Sequence, residues 1–350
     1  MPGIVIGEAS SATNPLLPFF YQFRGFLANV ANLRFEVYAV NGTDKLAEDT
    51  LDVQAVEDGG CRIATGYYFI PLDPEDLELE AGAYDLLCYY KVNTGDAEKA
   101  ASYVFEVLDK STFRIGAAYK SYVPSTITTL EGFSLAERQR ALHDASKFVD
   151  FLTTREFFPR YMDLLHTMQE SGPTIWLFQP VIGINQIAVT TTGILPGSED
   201  DYLLDLSMTR VYNRHINGLL APDDRMDPRI ALELTDSVDR FFLVNTLPKG
   251  ELNVKITGVF GYTDPDGTPT GGVPAPLQFV VEQLAYRKLA DPSGTDPLLW
   301  NPSAIKKAKT RDQEIHFDTL ISGANSELTG NARLDSILAQ YMRPPYVGAV

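Results

Sequence analysis

The spacing of apolar residues changes once along this chain, and that change limits the fold more than any other feature. Leu33, Phe35, Val37 and Ala39 alternate with Arg34, Glu36 and Tyr38, the period-two pattern of a half-buried strand, and Asn41-Gly42 closes it with a turn signal. Runs of the same kind lie at 50–56, 61–70, 84–92 and 102–108. Asp58-Gly59-Gly60, Ala81-Gly82 and Asn93-Thr94-Gly95-Asp96 separate them. Short strands with almost no helical text predict a β-sandwich of immunoglobulin-like type over 19–110, preceded by an extended arm over 1–18.

After an expected linker at 111–129 the period becomes helical. Ser134-Leu135-Ala136-Glu137 has the form of a capping box, in which the serine and glutamate satisfy each other's free N–H groups. Behind it Leu135, Leu142, Ala145, Val149 and Leu152 recur at helical spacing. Helices are therefore expected near 130–155, then near 275–290 behind Pro274, and near 331–342. Strand-like runs at 174–179, 183–190, 201–206, 241–246 and 252–260 predict a β insertion over 160–272, while 301–315 reads as part helix, part loop. The fold class expected is α+β: an N-terminal all-β immunoglobulin-like sandwich that folds by itself, then a helical domain over 130–350 with an inserted β region and a tail at 341–350.

Composition excludes several classes. With 45% hydrophobic residues among 350, wholesale disorder is excluded. The densest apolar runs, such as Phe241-Phe242-Leu243-Val244, are strand-sized and fall far short of the ~20 residues that span a bilayer. Met1 to Glu8 lacks the basic start of a secretory signal, so synthesis in a host cytoplasm is expected and Asn41-Gly42-Thr43 reads as a chance sequon. The formal charge is −17, and residues 1–110 carry 18 acids against 7 bases. Such a surface repels phosphates instead of gripping them. Cys61 and Cys88 lie in strand text without a CxxC partner, so two buried free thiols are expected over a disulfide or a zinc site.

No reaction centre is legible. His143, His166, His215 and His316 are scattered without metal-binding spacing, and there is no phosphate loop or nucleophile elbow. Asp264-Pro265-Asp266-Gly267 begins like a calcium loop, but Val273 stands where the bidentate glutamate belongs, so a turn is expected. Asp223-Asp224-Arg225 reads as a solvated turn. Trp176 and Trp300 sit away from paired acids, which counts against a glycan-cleaving cleft. No catalytic residue, cofactor or metal is expected.

Several stretches nevertheless occur in a suggestive order. Ala145 to Leu152 runs into Thr153-Thr154-Arg155-Glu156-Phe157-Phe158-Pro159-Arg160, a T-x-R-x-F-x-P-R turn. Ile175-Trp176-Leu177-Phe178 and Pro180-Val181-Ile182-Gly183-Ile184 follow. Asn253 to Tyr262 then leads into Thr263-Asp264-Pro265-Asp266-Gly267, followed by a helix ending Leu284-Ala285-Tyr286-Arg287-Lys288-Leu289. Thr310-Arg311-Asp312-Gln313 and Tyr341-Met342-Arg343-Pro344-Pro345 close the series. In this order, residues 130–350 resemble the bacteriophage head–tail adaptor (connector) proteins of the neck. Phe157 departs from the family's small or polar residue, and the β insertion is longer than in minimal adaptors. Leu79 to Tyr90 is similar to a strand of the small β-sandwich modules on some phage baseplate and neck proteins.

The resemblance implies a virion structural protein: a ring, of twelve copies in that family, beneath the portal and above the next neck or tail-terminator protein. DNA would pass through its lumen without specific binding. It points to Arg343, Pro344, Pro345, Tyr346 and Val347 as a portal- or neighbour-binding tail. Arg155, Phe158, Arg160, Lys306, Lys307 and Arg311 are the expected ring contacts. The alternatives are another tail or baseplate component, or a glycan-active enzyme with a β-sandwich binding module.

Overall fold

Strand alternation builds the first layer. β5 (Asn32–Ala39) buries Leu33, Phe35 and Val37, and pairs antiparallel with β6 (Lys45–Leu51) and β9 (Gly82–Lys91). β9 pairs with β10 (Lys99–Leu108), and β1 (Gly3–Val5) runs parallel to the end of β10, with Gly3 opposite Glu106. The order is β1-β10-β9-β5-β6. A second sheet, β2 (Pro18–Phe20), β8 (Tyr67–Phe69) and β7 (Arg62–Ala64), shares one core with it, including Phe19, Leu33, Tyr68, Cys88 and Phe105. The expected arm at 1–18 therefore contributes to both sheets; three-residue strands are too short for a period to show. The chain described is a computed structural model covering residues 1–6, 8–40, 42–114, 118–190, 202–212, 223–232, 246–293, 307–309, 314–316 and 329–342.

Cys61 and Cys88 are free buried thiols, and burial pushes Cys61 up to about 11 and Cys88 higher still. Buried Glu36 is held by Lys45 at 2.8 Å, the Tyr38 hydroxyl at 2.7 Å and Arg34 at 2.8 Å, which depress its carboxyl to about 2.

A second β region is built around β17 (Gly250–Phe260), which lies between β11 (Arg160–Met168) and β13 (Val181–Val189). β14 (Tyr202–Leu203) pairs with the end of β13. β12 (Thr174–Trp176), β16 (Arg229–Leu232) and β15 (Thr209–Tyr212) form a further sheet on the same core, which contains Ile175, Ile187, Ile230, Val254, Ile256 and Phe260. Gly258 is required here: a Cβ would stand 2.4 Å from the Gly183 carbonyl oxygen.

The two β regions are joined. β3 (Gln22–Phe23) and β4 (Phe26–Leu27) form a hairpin that leaves the sandwich, and Phe26 pairs with Ile184 of β13. Phe20, Leu27 and Tyr67 bury themselves with Ile182 and Val259.

Among the described residues three helices pack into a frame: α1 (Leu135–Thr153), α2 (Ala275–Ala290) and α3 (Ala332–Tyr341). The capping box of Ser134 and Glu137 is complete. Leu142, Val149, Val280, Val281 and Leu338 meet in the shared core. Part of the expected linker belongs to this core: Tyr122 and Val123 are buried because their apolar side chains pack among the helices. The 301–315 segment, expected as part helix, contributes two strands that pair, β18 (Lys307–Lys309) and β19 (Glu314–His316). The run at 241–244 lies outside the described residues.

Candidate functional site

Stretches far apart in sequence meet where α1 ends. Thr154 takes a left-handed φ of 53° and turns the chain toward β11. Just past it, Arg155 is only 2% exposed. Its guanidinium donates to the Arg225 carbonyl at 3.0 Å and stands 5.3 Å from the Tyr262 ring centroid. Arg225 lies over the same ring at 4.2 Å and pairs with Asp223 and Asp264, each at 2.6 Å. It also donates to the Thr263 carbonyl, and the Tyr262 hydroxyl donates to Asp223 at 3.1 Å. The Phe157, Tyr262 and Tyr341 rings close a triangle with centroids 5.6 to 5.9 Å apart, all edge to face. Edge-to-face aromatic pairs add ~0.5–1.5 kcal/mol each beyond burial.

This corrects the solvated turn expected at Asp223-Asp224-Arg225. Arg225 is buried because an aromatic face and a second carboxylate, both some 40 residues on in sequence, compensate its lost hydration. Its own burial would raise the Asp223 carboxyl, but the hydrogen bonds and charge of Arg225 outweigh this and hold it below the usual range. The segment from Asp264 to Gly272 is a loop closed by pairing of those two residues, and the chain bends at Gly267, which has a φ of 92°. No cluster of three or more metal-ligating side chains occurs among the described residues.

A second charged cluster braces the other side of the turn. The Lys120 ammonium bridges Asp150 and Glu156, and the Tyr122 hydroxyl donates to Asp150. Burial raises the Asp150 carboxyl to about 6 although Lys120 opposes the shift. His143 stacks on Tyr119 with centroids 5.3 Å apart, and burial lowers its pKa, as it does that of His166. These charges are matched to one another and set no nucleophile beside a base. The arrangement fixes the angle between α1 and β11 and holds Tyr341, at the end of α3, against both.

Outside this junction, apolar side chains reach solvent. On α1, Phe151 is 77% exposed and Phe148 39%. On the β12-β16-β15 sheet, Arg229 is flanked by the Trp176 and Tyr212 rings at 5.3 and 4.2 Å, and Trp176 is half exposed. Trp176 and Phe178 also line an open groove of about 780 Å³ with Leu165 and Leu252.

Of the expected ring contacts, Arg160 is exposed and Phe158 half-buried. Arg155 faces inward, so it serves the junction and does not present its charge outward; Tyr262 and the Arg225 carbonyl draw it in. Lys307 lies on β18, and Lys306, Arg311 and the tail residues Arg343, Pro344, Pro345, Tyr346 and Val347 lie outside the described residues.

No protein-family model matches the sequence, and no curated protein matches it. Among solved structures, a chain in the neck of an empty GTA particle, computed with C6 symmetry, aligns with 66% of this chain and 96% of its own. Identity is 14% and the TM-score 0.34, a likeness too slight to carry an argument.

Proposed function

We propose that the chain is a structural component of the neck of a phage-like particle, and within it a head–tail adaptor. One observation carries the reading. The residues on which the adaptor resemblance rests, Arg155, Tyr262, Asp264 and Tyr341, are spread over most of residues 130–350, yet they converge on a single junction. Motifs that share one packing site behave as parts of one architecture, which chance matches would not.

In this reading copies assemble side by side into a ring beneath the portal, through a heterologous interface that closes by rotation. The exposed α1 face around Phe151, with Phe158 and Arg160 beyond it and Lys306, Lys307 and Arg311 elsewhere on the chain, supplies the ring contacts. The tail residues Arg343 to Val347 reach the portal or a neighbour, with Tyr346 as an anchor of the kind favoured at interfaces. Twelve copies and a tail-side neck partner follow from the resemblance, and an acidic lumen lets DNA slide without sticking.

The N-terminal module is read as immunoglobulin-like. Its strand order, with a short first strand parallel to the last, supports this, as does the Tyr84 hydroxyl donating to the Glu80 carbonyl at 2.8 Å, a tyrosine corner. Imaging the protein with a portal ring tests the function. The expected result is a second ring stacked coaxially on the portal; particles that carry the protein at a host-facing baseplate tip would refute the reading.

A further inference from the structure

The sandwich has an open seam. β1 covers β10 only from Glu106 to Leu108, because Pro2 turns away to pair with Lys120. Glu106 donates its N–H to the Pro2 carbonyl at 3.0 Å, so the even-numbered residues of β10 aim their backbone groups at that edge. Ala100, Ser102 and Val104 therefore present N–H and C=O groups there, and no described strand lies alongside them. The second sheet also ends here, at β2. Between the two edges lies a cleft of about 270 Å³, lined by Pro18, Phe20, Leu86, Val104 and Phe158 with Asp266 among the polar groups. Tyr103, whose hydroxyl is buried, is another lining residue. Unpaired backbone at an apolar seam is the recognition surface for an added strand.

We infer that this seam receives residues 346–350 of a second copy of the chain as an extra strand along β10. Tyr346-Val347-Gly348-Ala349-Val350 has no proline and no charge, and its five residues match the uncovered edge at 100–104. Either face of such a strand suits the apolar lining. Arg343, just before it, has Asp266 at the cleft as an opposite charge. Pro344 and Pro345 cannot continue α3, so the segment is free of the helix's own backbone pairing. A tail that leaves one copy and enters the next is a heterologous contact. The inference does not need the neck reading, because it is measured on the isolated chain.

The test uses a synthetic peptide of residues 343–350 and the full-length chain. Titration should show saturable binding, with slowed hydrogen exchange at the Ser102 and Val104 amides. Substituting proline at the Val347 and Ala349 positions of the peptide removes two donors and should weaken binding by about tenfold or more. Ser102→Pro in the protein, at an edge position that tolerates proline, should do the same. Without peptide, protection of the two amides should rise with protein concentration. Absent binding, equal binding of the proline-substituted peptide, or protection independent of concentration, which means the tail closes on its own chain, would each overturn the inference. The peptide arm also covers the case in which Ser102→Pro fails to fold.

Discussion

Arg225 shows how a single residue can set a junction that sequence spacing hides. Its side chain is 6% exposed and has carboxylates on two sides. Arg225→Ala should therefore destabilise the chain by about 2–3 kcal/mol in urea unfolding, less than the ~3–5 kcal/mol of a fully buried pair because Asp264 keeps 36% of its side chain exposed. A loss below about 0.5 kcal/mol would mean the cluster contributes only solvation-neutral contacts. Asp150 behaves oppositely to a surface acid. Its carboxyl is raised from 3.8 to about 6, so across that window the folded state keeps a proton the unfolded state has released, and stability falls as pH rises. Asp150→Asn keeps an acceptor for Tyr122 and has no charge to bury. Its melting temperature should change less than that of the parent between pH 4 and 6.5; parallel curves would assign the slope to another group. Nothing in the spacing of Asp150 with Lys120 and Tyr122, or of Arg225 with Asp264, marks these partners, because each pair forms only once distant elements have packed.

Elements were legible where a period had room to repeat. α1, α2 and α3 fall within a few residues of the helical text because capping, proline entry and a 3.6-residue stripe agree. β5, β9 and β10 are long enough for alternation to show. β1, β3 and β4 have three residues or fewer, so they escape any periodicity argument, and they are the pieces that stitch sheets together. Tyr122 and Val123 were hidden for a related reason: an extended segment that buries side chains on helices carries no period of its own. Gly258 belongs to this scale as well, since β13 and β17 approach too closely there for any side chain. Gly258→Ala should cost about 1–3 kcal/mol, checked by chemical unfolding, with the helical circular dichroism retained before the transition. An unchanged midpoint would show that β13 shifts freely.

At the scale of the whole molecule the first hundred residues are less separate than their composition implies. The fully buried Glu106 accepts from the Ser125 N–H at 2.7 Å, the Ser125 hydroxyl at 2.8 Å and the Gln139 amide at 2.9 Å, all beyond the sandwich. A fragment of residues 1–112 loses these donors and uncovers Phe20, Leu27 and Tyr67. It should keep a β-type circular dichroism spectrum but melt about 5 °C or more below the sandwich transition of the intact chain, the shift of ~1 kcal/mol in a domain this size. Equal melting would make the module self-sufficient. The pairing of Gly3 with Glu106 also sets a clock. A ribosome adds ~5–20 residues per second, so the segment at 3–5 waits roughly 5–20 s for its partner strand to emerge. Until then its slot on β10 does not exist, and it is the segment at 3–5 itself that waits unpaired, open to the nascent chains of neighbouring ribosomes.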